Sequence, residues 1–489
     1  MAVATPEQFK TSIKARGPMK VYMNGRRITN LWDHPVTRTV LEANLASYEW
    51  ANTPEGEPVL TTHSHLINEK IHRYTHVCRS IEDLEAKAAA GTWVAERLGT
   101  CIYRCVGLDA CHSLAATTWE MDQKEGTDYY ARFTEYLKYI QKNDLSVAGA
   151  LTEARGDRKQ RSQEWKNPYL SVKLVEKKPD GIVVRGAKIN ISGAYGGHEV
   201  IVLPQSAKRE GEEDYALAFA LPADTEGLIY ICQYNPLSAE REQCESPDEL
   251  GNPRFGQRET SIIVLDDVFV PWERVFLCGE TPYSGKMVAR FAQTHRMTCG
   301  GTCKVGFMNQ VIGAAKWLQE MKGMEKVPHI NDQLVEMVTL RETVRACGLA
   351  AAFKGQEIPP GSGVYMPNDM FGNIAKLNVA PAFWRVMALA GDIAGGLPVT
   401  MPSIRELRSP ETAEYVNEFL SFGSEYPAEA IMKVTKLIQN WTAGLHGVGT
   451  WHGAGPVAAQ KIMINRLSDF EHDKEMVSQV LKLDEILNK

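Results

Sequence analysis

The chain has 489 residues, 44% of them hydrophobic and 23% charged, a balance that suits a folded protein of two or three domains and excludes a disordered one. Its formal net charge of -6 is small for that length and leaves no electrostatic footprint for nucleic acid or for an anionic membrane. Residues 1–16 are polar and lack the apolar centre of a secretory signal, and no apolar run is long enough to span a bilayer, so the expected compartment is the cytoplasm.

Residues 39–143 read as helical, with Lys, Glu, Ala and Leu at helical spacing and few prolines. The block closes on the amphipathic stretch Phe133-Thr-Glu-Tyr-Leu-Lys-Tyr-Ile-Gln-Lys. Across residues 152–276 the pattern changes to strands. Val172 and Leu174 alternate with polar residues, Pro179-Asp180-Gly181 is a turn signal ahead of Ile182-Val183-Val184, and Leu217 and Phe219 alternate in the same way. From residue 286 long helices return. Met308, Val311, Ile312, Ala315 and Leu318 make one apolar stripe; Leu334, Met337, Val338, Val344 and Cys347 supply another. Residues 359–367 are a Gly- and Pro-rich loop, and further helices are expected over 380–394, 427–445 and near the C-terminus, as in a bundle. The expected division is a helical domain over 1–150, a β domain over 151–278 and a helical bundle over 279–489, an α+β chain. No internal repeat or low-complexity tract occurs.

Ten cysteines in a chain expected in the cytoplasm argue against disulfides. Cys78, Cys111, Cys232, Cys244, Cys278 and Cys347 read as small buried hydrophobes. The other four form two close pairs. In Cys101-Ile-Tyr-Arg-Cys105, helical spacing would set both thiols on one face, one turn apart, where they can hold two irons of one cluster. His295-Arg-Met-Thr-Cys299-Gly-Gly-Thr-Cys303-Lys304 gathers a His, two Cys and a Lys around a Gly-Gly break ahead of a helix. A thiolate and an imidazole from it would complete a four-ligand set. Three Cys and one His suit zinc as well as a cluster, and plain buried cysteines are the third reading.

Other segments offer groups for a cofactor. Gly149-Ala-Leu-Thr-Glu-Ala-Arg-Gly-Asp-Arg158 supplies Thr152, Arg155, Asp157 and Arg158, which suit a flavin edge or a pyrophosphate, or a polar linker. Val184-Arg-Gly-Ala-Lys-Ile-Asn-Ile-Ser-Gly193 reads as a strand with a Gly bulge, from which Ser192 could face a flavin ring; an ordinary hairpin is the alternative. Gly391-Asp-Ile-Ala-Gly-Gly-Leu397 ends a helix with amides free to approach a ligand, but it is no Rossmann fingerprint. His446-Gly-Val-Gly-Thr-Trp-His-Gly-Ala-Gly455 suggests backbone packed closely on a ligand, or a Gly-rich connector. The chain has no G-x-S-x-G, Walker loop or H-E-x-x-H, which argues against hydrolase, NTPase and zincin readings.

In order along the chain these segments, with Val21-Tyr-Met-Asn-Gly25, Asp33-His-Pro35, Arg104-Cys-Val-Gly-Leu-Asp-Ala110, Asp267-Val-Phe-Val-Pro271, Arg290-Phe-Ala292 and Cys303-Lys-Val-Gly306, resemble the 4-hydroxybutyryl-CoA dehydratase family. More distantly they resemble the 4-hydroxyphenylacetate 3-hydroxylase flavoproteins. The resemblance implies an acyl-CoA-dehydrogenase-like fold with an N-terminal helical region, a middle β-barrel and a C-terminal bundle, assembled as a homotetramer. It implies FAD between β domain and bundle, with contacts from Thr152, Arg155, Asp157, Arg158, Lys188, Ser192, Asp392, Gly395 and Gly396. It also implies a [4Fe-4S] cluster on Cys101, Cys105, His295 and Cys303. The hydroxylases lack these ligands.

The family's chemistry explains both cofactors. The C3–H of a 4-hydroxyacyl-CoA thioester is far beyond the reach of a side-chain base. One-electron oxidation of the enolate by FAD makes that proton removable, and a ketyl radical then expels the hydroxyl. A cluster iron with an exchangeable ligand acts as Lewis acid on substrate oxygen. By resemblance His295 is the replaceable ligand and the base at C2, and Lys304 and Glu259 match family active-site residues. The departures are specific. The family's His and third Cys stand one residue closer, so Thr302 is an insertion, and Cys299, Gly449 and Tyr103 replace a family Tyr, Glu and Gln. Such a pattern implies retained scaffold and cofactors with an altered substrate or reaction, in which Cys299 could also take a ligand position. A flavin-dependent monooxygenase with merely buried cysteines, and a non-catalytic partner subunit, are the other readings.

Overall fold

The patterns are realised in a computed structural model that describes residues 3–154, 156–157, 159–442 and 446–487. Caps set the N-terminal helices. His34 precedes α1 (Pro35–Ala51), and its Nδ1 accepts from the Val36 and Thr37 amides at 3.3 and 3.5 Å, the part usually played by Ser or Asp. Ser80 caps α2 (Ile81–Leu98) through the Asp83 amide, and left-handed Gly99 ends it. α3 (Cys105–Glu125) is buried on nearly every side because it packs against α4 (Tyr129–Lys142), a strand of the β region and the C-terminal helices.

The β region uses strands from both sides of the expected boundary at residue 150. A six-stranded sheet is built from β1 (Lys20–Met23), β2 (Arg26–Ile28), β4 (Lys173–Lys178), β5 (Gly181–Ser192), β8 (Leu228–Cys232) and β9 (Thr260–Pro271), in the order β2-β1-β8-β9-β5-β4. A four-stranded sheet has β3 (Val147–Ala150), β6 (Glu199–Val202), β7 (Leu217–Pro222) and β10 (Val275–Cys278), in the order β10-β7-β6-β3. The implied barrel does not emerge: the strands lie in two open sheets, and among the described residues no sheet closes on itself. The N-terminal segment enters the larger sheet where β1 runs parallel to β8, Lys20 opposite Ile229. Long β5 and β9 pair antiparallel with Thr260 opposite Ser192, and a bulge at Asp266-Asp267, with Asp267 at φ 51°, interrupts their register.

The C-terminal region runs through α5 (Thr281–His295), a π-helix (Arg296–Thr302), α6 (Cys303–Met321), α7 (Pro328–Phe353), α8 (Asp369–Ala394) and α9 (Ala428–Thr442). The stripe from Met308 to Leu318 is buried on α6 as its spacing predicts, whereas on α7 only Met337 and Val344 of the second stripe are buried and Val338 is exposed. α8 starts eleven positions before the predicted residue 380 because Asn368 caps it through the Phe371 amide and Pro381 falls on an exposed face without ending it. The expected helix over 427–445 runs on past α9 into residues 443–445, which lie outside the described residues. Among the described residues no helix is long and apolar enough to cross a membrane. All ten cysteines are free; Cys78, Cys111, Cys232 and Cys278 are buried, as small hydrophobes are, and Cys244 and Cys347 are half-buried.

Candidate active site

Cys105 is the first residue of α3, and Cys101 lies in the turn ahead of it, so the first pair does not share one helical face as its spacing predicts. The intervening Tyr103 takes φ 60°, a left-handed conformation uncommon for an aromatic residue. From that turn Cys101 lies close enough to Cys105 for each thiol to shift the other's proton affinity. Tyr103 is buried; its hydroxyl accepts from the Glu259 amide at 2.9 Å and donates to the Gln257 carbonyl at 3.4 Å.

The second pair is reached differently. Gly300-Gly301 does not break the chain: α5 continues into α6 through the π-helix, which absorbs the extra Thr302 as a widened turn. The Thr302 hydroxyl donates to the Thr298 carbonyl at 2.7 Å, and its own carbonyl accepts from the Thr92 hydroxyl at 3.3 Å. The glycines serve close packing, since a Cβ on Gly301 would stand 2.5 Å from Gly348 Cα. Cys303 opens α6 with its thiol donating to the Cys299 carbonyl at 3.5 Å, and Cys299 is buried one turn earlier. The pairs converge: Cys303 feels the charge of Cys101, Cys105 that of Cys303, and the buried Tyr74 hydroxyl that of all three.

Around the sulfurs stand groups of opposite sign. His295 Nδ1 is 2.7 Å from Asp109 Oδ2, and Lys87 Nζ is 2.5 Å from Asp109 Oδ1, with all three side chains buried. Burial opposes the Asp109 charge, but Lys87 and His295 outweigh it and hold the acid down at about 2. Burial likewise opposes a charged His295, yet Asp109 and Cys299 raise it to about 9. The neighbouring Cys105 thiol lowers Cys101 to about 6, helped by Arg258 and Lys304. Cys303 does the same for Cys299, which falls well below an ordinary thiol while Cys303 and Cys105 rise. Lys304 is buried with Nζ 3.9 Å from Cys303 Sγ; against burial, the two nearby thiols raise its affinity for its proton. Buried Lys376 donates to the Thr450 carbonyl at 2.8 Å and is pulled down to about 8 by burial. The Gly-rich segment closes this wall: a Cβ on Gly449 would stand 2.8 Å from Arg258 Nη2, and one on Gly453 3.5 Å from Cys299 Sγ.

Among the described residues no three His, Cys, Asp or Glu side chains stand close enough to share one ion, as zinc requires. An iron–sulfur cluster spreads its ligands, one to each iron. Buried Cys105 and Cys299 and half-buried Cys101 and Cys303, beside Lys304 and Arg258, fit such an anionic group, whose irons would take the place of the thiol protons.

The family models for 4-hydroxyphenylacetate 3-hydroxylase, N terminal and C terminal, match residues 5–277 and 284–482. The 4-hydroxybutyryl-CoA dehydratase/vinylacetyl-CoA-Delta-isomerase of Clostridium aminobutyricum is 38% identical over 97% of this chain and 99% of its own. The chain belongs to the 4-hydroxybutyryl-CoA dehydratase family. That membership makes it an enzyme of the lyase class. The structure of an oxygen-tolerant archaeal 4-hydroxybutyryl-CoA dehydratase from N. maritimus superposes with a TM-score of 0.94 at 34% identity, covering 98% of this chain and 95% of that one. Two more distant structures share the fold. The oxygenase component of 4-hydroxyphenylacetate 3-monooxygenase, complexed with FAD, gives a TM-score of 0.85 at 22% identity over 99% of this chain and 100% of that one. Butyryl-CoA dehydrogenase from Megasphaera elsdenii gives 0.51 at 17% over 90% and 98%. The acyl-CoA-dehydrogenase-like architecture therefore stands.

The residues expected around a flavin are scattered within this family member. Ser192 is half-buried at the end of β5, and next to it the Gly193 amide donates to the Glu259 carbonyl at 3.0 Å. Glu259 is 1% exposed with Oε2 unpartnered, and burial pushes its carboxyl up to about 8. The Thr152 carbonyl accepts from the Ile189 amide, and exposed Asp157 accepts from the Lys159 amide. Arg155 and Arg158 lie outside the described residues. Lys188 is 1% exposed, and its Nζ donates to Glu153 at 2.6 Å and to the Leu151 and Leu203 carbonyls at 3.0 and 2.7 Å. Asp392, Gly395 and Gly396 are exposed at the far end of α8, about 24 Å from Lys376 at helical rise. Sequence reasoning missed Asp109, Lys87, Arg258 and Lys376. Asp109 had a signal, because it follows Cys105 by four residues on α3 as Cys105 follows Cys101; Lys87 had none.

Proposed function

We propose that the protein is a dehydratase/isomerase of a hydroxyacyl-CoA thioester that works with FAD and an iron–sulfur cluster seated among Cys101, Cys105, His295 and Cys303. The observation that carries the reading is the convergence of the two thiol pairs with the His295–Asp109–Lys87 chain and Lys304. The relation to a dehydratase/isomerase over nearly the whole chain supports the reaction class, and FAD in a structure of the same fold supports the flavin. When bound, those groups supply one-electron and Lewis-acid chemistry that no side chain offers.

The chain's own residues then bind, orient and move protons. Glu259, held protonated at neutral pH by burial, is the acid we assign to the leaving hydroxyl. Lys304 keeps its charge beside the sulfurs and draws the thioester oxygen. Asp109 fixes the ring of His295 through Nδ1, and Lys87 keeps Asp109 ionised. The Gly449 and Gly453 backbone leaves room at the thiols where side chains would intrude. Thr152, Asp157 and Ser192 lie on the flavin side, and Asp392, Gly395 and Gly396 reach the flavin of a neighbouring copy. Self-association, with the homotetramer as the expected form, is supported by apolar side chains left open on the last helices and on α7: Val480 is 82% exposed, Leu487 76% and Val335 65%.

The test is anaerobic turnover of hydroxyacyl-CoA and enoyl-CoA esters by protein carrying flavin, iron and sulfide. Dehydration or double-bond migration is expected. Hydroxylation of a phenol that needs O2 and reduced flavin would instead support the monooxygenase reading that the family models suggest.

A further inference from the structure

The cations around the thiols differ in how they are held. Lys87 is anchored by Asp109, Lys376 by the Thr450 carbonyl, and Arg296 faces Asp369 at 3.6 Å. Arg258 stands apart. It is half-buried just ahead of β9, and among the described residues neither a hydrogen bond nor an ion pair engages its guanidinium. Its Nε is closed off from solvent and has no partner. A guanidinium keeps its charge at any pH the fold survives and carries several donors in a rigid plane. Withdrawing such donors from water without an acceptor is costly, and here the folded chain supplies none.

Its position shows what kind of acceptor is missing. The charge of Arg258 is felt by Cys101 and Lys304, so it lies at the reacting end of the site. Facing it is buried Gly449, where a Cβ would stand 2.8 Å from Nη2, 2.9 Å from Cζ and 3.1 Å from Nη1. No side chain therefore occupies a place from which the whole fork could be met. Glu259, next in sequence, makes no ion pair with it among the described residues, and burial holds that carboxyl protonated at neutral pH. Iron-bound sulfurs would take up part of the charge, but they offer a planar fork no matching pair of oxygens.

We propose that Arg258 binds a carboxylate on the acyl chain, so that the substrate is the CoA thioester of a hydroxy dicarboxylic acid rather than of a simple hydroxy acid. The proposal rests on the hydroxyacyl-CoA reading above and narrows it. A carboxylate meets the fork in parallel, charge-assisted hydrogen bonds. The phosphates of CoA do not serve, because the pantetheine arm holds them far from the thioester carbon. Lys304, a point charge, draws the thioester oxygen, and Arg258 fixes the opposite end of the acyl chain. The charge of Arg258 also works against that of Lys304, and an anion between them relieves both.

The test is calorimetric binding of glutaryl-CoA and pentanoyl-CoA to the full chain, loaded anaerobically with flavin, iron and sulfide. The two esters differ only in a terminal carboxylate against a methyl group, and both lack the hydroxyl that is eliminated. Glutaryl-CoA is expected to bind about 10- to 100-fold more tightly. Arg258→Gln should abolish that preference and Arg258→Lys restore part of it. Gly449→Glu, which sets a carboxylate against the fork, should abolish it as well. Turnover should follow binding, with 4-hydroxyglutaryl-CoA preferred to 4-hydroxybutyryl-CoA in kcat/KM. Equal affinity for the two esters in the unaltered protein would overturn the proposal, whether or not any variant folds. So would a preference that survives in Arg258→Gln. Loss of iron from Arg258→Gln without any preference in the unaltered protein would make Arg258 a counter-charge to the cluster instead. Unaltered protein that binds neither ester would overturn the CoA-thioester reading itself, a failure distinct from a wrong acyl chain.

Discussion

The segments at Cys101–Cys105 and at Cys299–Cys303 share one spacing and set their second cysteine at the start of a long helix, but they reach it by different backbones. The first is a loop that bends through left-handed Tyr103, a conformation costing about 1–2 kcal/mol that the surrounding structure must offset. The second is continuous helix, widened by one residue and held by glycine against glycine. Strain at a single side chain sets the first; packing of backbone on backbone sets the second. Equal spacing of ligands therefore does not imply equal backbone, and the two sites should fail in different ways when disturbed.

The largest expected effect comes from what joins them. Lys87 lies on α2, Asp109 on the first segment's helix and His295 ahead of the second. Lys87→Ala leaves a buried carboxylate without its cation and is expected to cost about 3–5 kcal/mol in urea unfolding. The acid limb gives the sign. Asp109 is held at about 2, below its ordinary range, so its contribution is present above the ordinary carboxylate pKa and is lost as pH falls toward 2. Asp109→Asn should remove that part of the acid sensitivity. Next in size is Gly301→Ala. Its methyl would meet Gly348 Cα at 2.5 Å, backbone that cannot swing aside, and about 1–3 kcal/mol of overpacking cost is expected. If the variant unfolds at the same urea concentration as the parent, the second segment is softer than its packing suggests.

The helix–sheet–helix order and the buried stripe of α6 were legible in the sequence because each depends on periodicity within one element, whereas the first thiol pair, expected on one helical face, straddles a turn and a helix start. The two open sheets were not, since β1 joins β8 from some two hundred residues away and no local pattern encodes that pairing. The start of α8 was hidden by Pro381, which reads as a boundary but is tolerated on an exposed face. The burial of Lys188 on β5 was not legible, since Glu153 and the two carbonyls that close around it come from other segments. The π-helix was visible only as an inserted Thr302, and the glycines beside it were read as a break because sequence does not reveal the helix that presses on them.

Two smaller effects belong to the first segment alone and sharpen the contrast. Glu259 lies against Tyr103, and its pKa of about 8 stands above the ordinary value. A raised carboxyl stabilises most at low pH, so stability should fall by up to about 1.4 kcal/mol per pH unit between roughly pH 4.5 and 8 and then level off. Glu259→Gln should flatten that slope, and an unchanged slope would place the titrating group elsewhere.

Tyr103→Phe is the finest probe. It keeps the ring, against which a Cβ on Gly193 would stand at 2.3 Å, and removes only the hydroxyl that serves the Glu259 amide and the Gln257 carbonyl. A loss of about 1 kcal/mol is expected, with the reactivity of Cys101 toward a thiol reagent unchanged, because packing of the ring maintains the left-handed turn. A much larger loss, together with a freely reacting Cys101, would mean that the hydroxyl holds the bend. The first segment would then rest on hydrogen bonds in a loop where the second rests on interlocked helices.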